Sequence, residues 1–197
     1  RIKAMVEEIL GYSLEPHHPE YKSDHRPRTA TKLHYDRPIR GIIFSDAHYL
    51  PGDSAPHHQV LLKILKDNHF DIVINNGDSH DFPAFSRHAP DMWEERVLPA
   101  DELDIVQQRM DEIRNAAGSD TEYYFNLGNH DKRAENMLAQ KLPELRDWPS
   151  TTVSELYPDW KVQNSMFIND VFQVKHMCNH GGKYPEMNYA LNSGVSI

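Results

Sequence analysis

The chain has a single cysteine among its 197 residues, Cys178, so it can form neither an internal disulfide nor a cysteine zinc cage. It lacks any apolar run long enough to cross a bilayer. It has no internal repeat and no low-complexity tract, which sets repeat architectures aside. An excess of positive charge is lacking as well. The net charge is −9, and such a body repels nucleic acid or an anionic membrane unless cations sit in it. No membrane partner is therefore expected, and a cytoplasmic location is the expectation. Residue 1 is Arg rather than Met, so the natural N-terminus is expected upstream and a signal peptide stays open.

What is present divides into three parts. Residues 1–11 carry Ile2, Met5, Val6 and Ile9 at helical spacing before Gly11, and read as an N-terminal helix or the tail of an upstream domain. Residues 12–38 hold four prolines and a local excess of basic side chains with almost no apolar ones, the composition of an extended linker. Order is expected from Ile39, and residues 39–197 are long enough for one sizeable core.

Within that part, Ile39–Phe44 reads as a buried strand, followed by Asp53 or Ser54 as a helix cap and by a helix over His57–Asn68. Leu61, Ile64 and Leu65 form its apolar face, and His57 and His58 are expected at the surface. A second buried strand covers Ile72–Asn76. Strand, helix and strand at this spacing form a βαβ unit, with both strands parallel and ending on one edge. Helices are expected at about Asp91–Val97, with Pro99 as an interruption, then Asp101–Ala117 with Leu103, Val106, Met110 and Ile113 inward. A third strand at Tyr123–Phe125 precedes a helix over Ala134–Leu142 with Leu138 and Leu142 inward. Ser165–Ile168 and Val171–Val174 flank Asn169-Asp170, a hairpin turn, and the second strand continues through His176 towards His180.

Each of the first three strands ends in a cluster able to hold a metal: Asp46 and His48, then Asp78 and Asp81, then Asn129 and His130. A fourth strand leads to His180. One polar strand end is ordinary turn chemistry. Four in succession, on the carboxyl edge where open α/β folds place their sites, are not. Carboxylate, imidazole and amide oxygen together suit a pair of divalent cations. Mn is the first expectation, with Fe, Zn or Ni as the alternatives. Two ions about 3.5–4 Å apart can clamp a phosphoryl oxygen and lower the pKa of a bridging water. Asp78 is the candidate for the shared carboxylate.

Asp46-Ala47-His48, Gly77-Asp78-Ser79-His80-Asp81 and Gly128-Asn129-His130-Asp131 resemble the DxH, GDxxD and GNH[DE] motifs of the calcineurin-like metallophosphoesterases. His180-Gly181 resembles the fourth, a lone His followed by Gly. The resemblance implies an α/β fold of two packed mixed β-sheets flanked by helices, a four-layer sandwich, here C-terminally incomplete. It implies that Asp46 and His48 hold one metal, that Asp78 bridges, and that Asn129 and His180 hold the other. His130 would then assist the leaving group, oriented by Asp81, while a metal-bridging hydroxide attacks phosphorus. The family's GHxH motif is absent from this chain. Asn192–Ile197 reads as the approach to the strand it usually follows, so the chain is expected to stop short of it.

His176 competes with His180 for the fourth motif, and as a mid-strand residue it is ranked second. His80, Arg87, His88 and Arg133 are candidates for the substrate rim, with Ser86 and Lys132 beside them. The substrate class is a phosphate ester. A diester or nucleic acid is favoured over a monoester or phosphoprotein by the basic segment near the N-terminus. The rival from another class is a non-catalytic scaffold of the same fold, which retention of Asp78, Asp81 and His130 disfavours.

Overall fold

The computed structural model describes residues 30–86, 97–145 and 152–176. Its centre is a four-stranded parallel sheet. β2 (Gly41–Phe44), β3 (Ile72–Asn75), β4 (Glu122–Asn126) and β5 (Lys161–Gln163) lie side by side in that order. A second sheet has the order β1 (Thr31–Leu33), β6 (Ser165–Ile168), β7 (Phe172–Lys175), parallel in its first pair and antiparallel in its second. The β6–β7 turn is the expected Asn169-Asp170. Both residues have positive φ, 52° and 54°, as the tightest hairpin turns require.

Alternation along the central strands builds two cores. Ile72 and Ile74 of β3 and Tyr124 of β4 face Met166 and Val174 of the second sheet, with Leu33, Ile39, Ile43 and Ile168 around them. Val73, Tyr123 and Phe125 point the other way, onto α1 (Pro56–Asp67) and α2 (Pro99–Ala117). There Leu65 of α1 meets Val106, Met110 and Ile113 of α2, all buried, and each such side chain contributes about 1.5–3 kcal/mol relative to exposure. The remaining α-helices among the described residues are α3 (Arg133–Lys141) and the single turn α4 (Val153–Leu156), which a Thr152/Glu155 capping box starts. Among the described residues no helix is long and apolar enough to cross a membrane.

Several boundaries differ from the expectations. The segment 12–38 is not linker to its end, because Thr31–Leu33 pairs with β6. Helix α1 starts at Pro56 with Ala55 as its cap, and neither Asp53 nor Ser54 caps it. Its inward face is His58, Leu61, Leu62 and Leu65, with His58 fully buried and Ile64 39% exposed. Pro99 does not interrupt a helix. It opens α2 at a position where the missing N–H costs nothing. Neither Leu138 nor Leu142 is buried, and α3 contains no buried residue. Strands β1 and β5 had no sequence signal. The upstream helix over residues 1–11 and the helix proposed over 91–97, up to residue 96, lie outside the described residues.

Candidate metal centre

The loops that leave β2 and β3 run alongside each other past the strand ends. The amides of Asn76, Asp46, His48 and Tyr49 donate across to Phe44, Gly77, Asp78 and Ser79 at 2.7–3.1 Å. This ladder holds Asp46, His48 and Asp78 in left-handed backbone conformations, with φ of 54°, 42° and 53°. Non-glycine residues adopt that region at a cost, and such residues gather where geometry is functional. Gly77 (φ +97°) permits the close approach of the third loop. A Cβ there would stand 2.7 Å from the Gly128 nitrogen and 2.8 Å from Cδ2 of His176.

Two groups of donors form on this edge. One atom from each of Asp46, Asp78 and His176 lies within 4.8 Å of the others, and the same holds for His48, Asp78 and His130. Asp78 belongs to both. It is buried, and Oδ1 accepts the His130 amide at 2.9 Å. Burial pushes its carboxyl above the ordinary range, against the pull of the His130 amide and of His176. Nε2 of His176 stands 3.5 Å from both Asp46 Oδ1 and Asp78 Oδ2. One buried imidazole facing two carboxylates at more than hydrogen-bond length is a donor set with room for a cation. The separations suit carboxylate and imidazole ligands reaching a common ion at about 2.0–2.2 Å.

His48 and His130 are not equivalent. Nδ1 of His48 lies 3.3 Å from Asp81 Oδ1, the outer carboxylate contact typical of a ligating imidazole, and leaves Nε2 for a metal. His130 has both nitrogens engaged. Nδ1 lies 2.7 Å from Asp81 Oδ1, and Nε2 lies 2.9 Å from the Arg133 guanidinium. Because a guanidinium can only donate, Nε2 accepts and Nδ1–H donates to Asp81. The expected pairing of Asp81 with His130 is therefore present as a hydrogen bond. Arg133 also donates to the Asp81 carbonyl at 2.6 Å.

Asp131, the last residue of Gly128-Asn129-His130-Asp131, is completely buried and ties the loops together. Its two oxygens accept from the amides of Asp78, His80 and Gly128 at 2.8–3.1 Å and face Nδ1 of His80 at 2.9 Å. Burial pushes its carboxyl up, but the His80 contact and the amide bonds outweigh that and hold it below the ordinary range. His80 is corrected accordingly. It is fully buried, stacked on Phe82, and bonded through Nε2 to the Tyr157 hydroxyl at 2.7 Å, so it cannot form the substrate rim.

Among the described residues, the imidazole that the end of β7 brings to this edge is His176, which lies just past the strand and not within it. β7 ends at Lys175, and the next side chain turns onto Asp46 and Asp78. His180, Arg87 and His88 lie outside the described residues. Asn129 is exposed on its turn between Gly128 and His130. The residues that the motifs did not single out are Asp131, Tyr157 and Glu102. Of these only Asp131 had a signal, as the acid closing the third motif.

A family model for calcineurin-like phosphoesterases matches residues 39–194. The chain belongs to that family. The family indicates a metal-dependent phosphoester hydrolase, and the donor groups around Asp78 lie within the matched region. No curated protein and no solved structure matches the chain.

Proposed function

We propose that this phosphoesterase hydrolyses phosphate esters with two divalent ions that share Asp78. Asp46 and His176 stand with Asp78 for one ion and His48 stands with Asp78 for the other, with Asn129 and His180 as the remaining candidate ligands. The observation that carries the reading is the membership of Asp78 in both donor groups, beside a hydrogen-bonded His130–Asp81 pair. Mn suits the mix of carboxylate, imidazole and amide oxygen and is the ion to supply first. Bound ions would supply Lewis acidity at the phosphoryl oxygens and a water of near-neutral pKa.

The chain's own residues do the rest. Asp81 fixes the His130 ring through Nδ1, so that Nε2 is the atom presented to substrate. Arg133 holds that nitrogen in the free protein, and its guanidinium is a planar donor matched to phosphate oxygens. On substrate arrival Arg133 transfers to the phosphate and frees Nε2, which takes a proton from water, Asp81 stabilising the resulting imidazolium through Nδ1–H, and then gives that proton to the leaving oxygen. A diester, including a nucleic-acid backbone, is the favoured substrate class over a monoester or phosphoprotein.

The purified full-length protein with Mn is expected to hydrolyse bis-p-nitrophenyl phosphate faster than p-nitrophenyl phosphate. His130→Ala should lower kcat by about 10²–10⁴, and Asp78→Asn should abolish turnover. Hydrolysis of both esters that survives both substitutions would sink the assignment.

A further inference from the structure

Glu102 sits in the first turn of α2, far in sequence from the motifs, yet it is fully buried against them. Carboxylates are almost never fully buried without paired partners. Its Oε1 accepts the backbone N–H groups of both Asp81 and Phe82, each at 2.7 Å. Its Oε2 is equally buried and has no hydrogen-bond partner among the described residues. A helix that needed only to pack would put an apolar side chain here. A buried oxygen left unsatisfied calls for a compensating role.

The two amides Glu102 receives belong to the bend that aims Asp81. Phe82 is in the left-handed conformation, φ 48° and ψ 54°, which a bulky aromatic residue adopts only when its surroundings impose it. Phe82 is locked in that conformation from the side-chain end by stacking on buried His80. The peptide units of Asp81 are held on both ends: Glu102 takes the N–H, and Arg133 donates to the C=O at 2.6 Å. Asp81 Oδ1 is thereby left between Nδ1 of His130 at 2.7 Å and Nδ1 of His48 at 3.3 Å.

We propose that Glu102 is a positioning residue of the site: it grips the Asp81–Phe82 backbone and so fixes the carboxylate that orients His130. Helix α2 thereby becomes part of the catalytic frame as well as of the core. The inference rests on the phosphate-ester reading for its kinetic arm but not for its spectroscopic one.

Glu102→Ala would empty a buried site and threaten folding, so the test uses two conservative variants. Glu102→Asp keeps the charge but withdraws it by one methylene. Glu102→Gln keeps the reach and an acceptor oxygen. With Mn and bis-p-nitrophenyl phosphate, Glu102→Asp is expected to lower kcat at least about tenfold with KM little changed, and Glu102→Gln to lose no more than about threefold. In metal-free protein, the downfield imidazole N–H proton resonance that disappears in His130→Ala should shift or broaden in Glu102→Asp and persist in Glu102→Gln. Wild-type kcat and an unmoved resonance in Glu102→Asp would overturn the inference. Equal kcat losses in the two variants would overturn it too, since keeping the reach would then rescue nothing. If the wild-type protein hydrolyses neither ester, the phosphate-ester reading falls, and the resonance alone decides the role of Glu102.

Discussion

A Cβ on Gly128 would fall onto Oδ1 of Asp78 and lie 2.6 Å from that residue's backbone nitrogen. The position needs space and nothing else, since Asp78 uses the same oxygen to accept the His130 amide. Gly128→Ala must therefore push the shared carboxylate aside. Mn affinity by titration calorimetry is expected to fall at least about tenfold, on the order of 1.4 kcal/mol, with the far-ultraviolet circular dichroism unchanged. An alanine variant that binds Mn like the wild type would show that Asp78 is not where the ion sits. At this scale the sequence carried the motif residues but not their neighbours. Asp46, His48, Asp78 and Asp81 were legible because each directly follows an apolar strand. Glu102 and His58 were not, because burial of a polar side chain is decided by partners far away in the chain. His176 was ranked second to His180 because one strand residue more or less changes which imidazole reaches the edge.

Helices α1 and α2 show the same blindness one level up. Their apolar stripes were readable, and so were the parallel strands between them, whose β-branched runs leave little choice. Strands β1 and β5 were not, since Thr31–Leu33 and Lys161–Gln163 are too short to carry a period and borrow their order from neighbours. Beside the Leu65 contact, a polar cluster also pins α1 to α2. Buried His58 contacts the Tyr49 hydroxyl through Nδ1 at 2.8 Å and Glu112 through Nε2 at 2.9 Å, and Arg109 closes on the same carboxylate. The neutral ring satisfies both contacts, donating to Glu112 and accepting from Tyr49. Burial lowers the His58 pKa below its ordinary 6.5, against the opposing pull of Glu112. As pH falls, the unfolded chain therefore takes up this proton before the folded one does. The contribution of His58 is complete above about pH 6.5 and declines on acidification until the folded-state pKa is passed. His58→Gln should cost about 1–3 kcal/mol at pH 7.5 in urea unfolding, and that difference from wild type should shrink at pH 5. A difference that grows on acidification would contradict the neutral, buried ring.

The molecule as a whole carries nine net negative charges, and its active edge concentrates several of them. Asp46 and Asp78 face one imidazole, Asp81 stands beside two, and Asp131 and Glu102 are buried immediately behind. Three of the residues on this edge, Asp46, His48 and Asp78, also hold left-handed backbone conformations that cost free energy without a cation. Such an edge trades stability for chemistry. Two opposite effects of one substitution follow. Without metal, Asp78→Asn removes a carboxylate whose burial opposes its charge, and the amide oxygen can still accept from His130. Its melting temperature in chelator is expected to equal or exceed that of the wild type. With Mn at about a hundred times its Kd, the wild type should gain about 2.7 kcal/mol through ligand linkage. For a protein of this size that corresponds to roughly 5–10 °C. The asparagine variant should gain almost none of it, because both donor groups lose their common member. Differential scanning fluorimetry with and without Mn measures all four states. A full Mn shift in Asp78→Asn would remove Asp78 from the centre. A large loss of metal-free stability in the same variant would mean that the carboxylate serves the fold before it serves the ion.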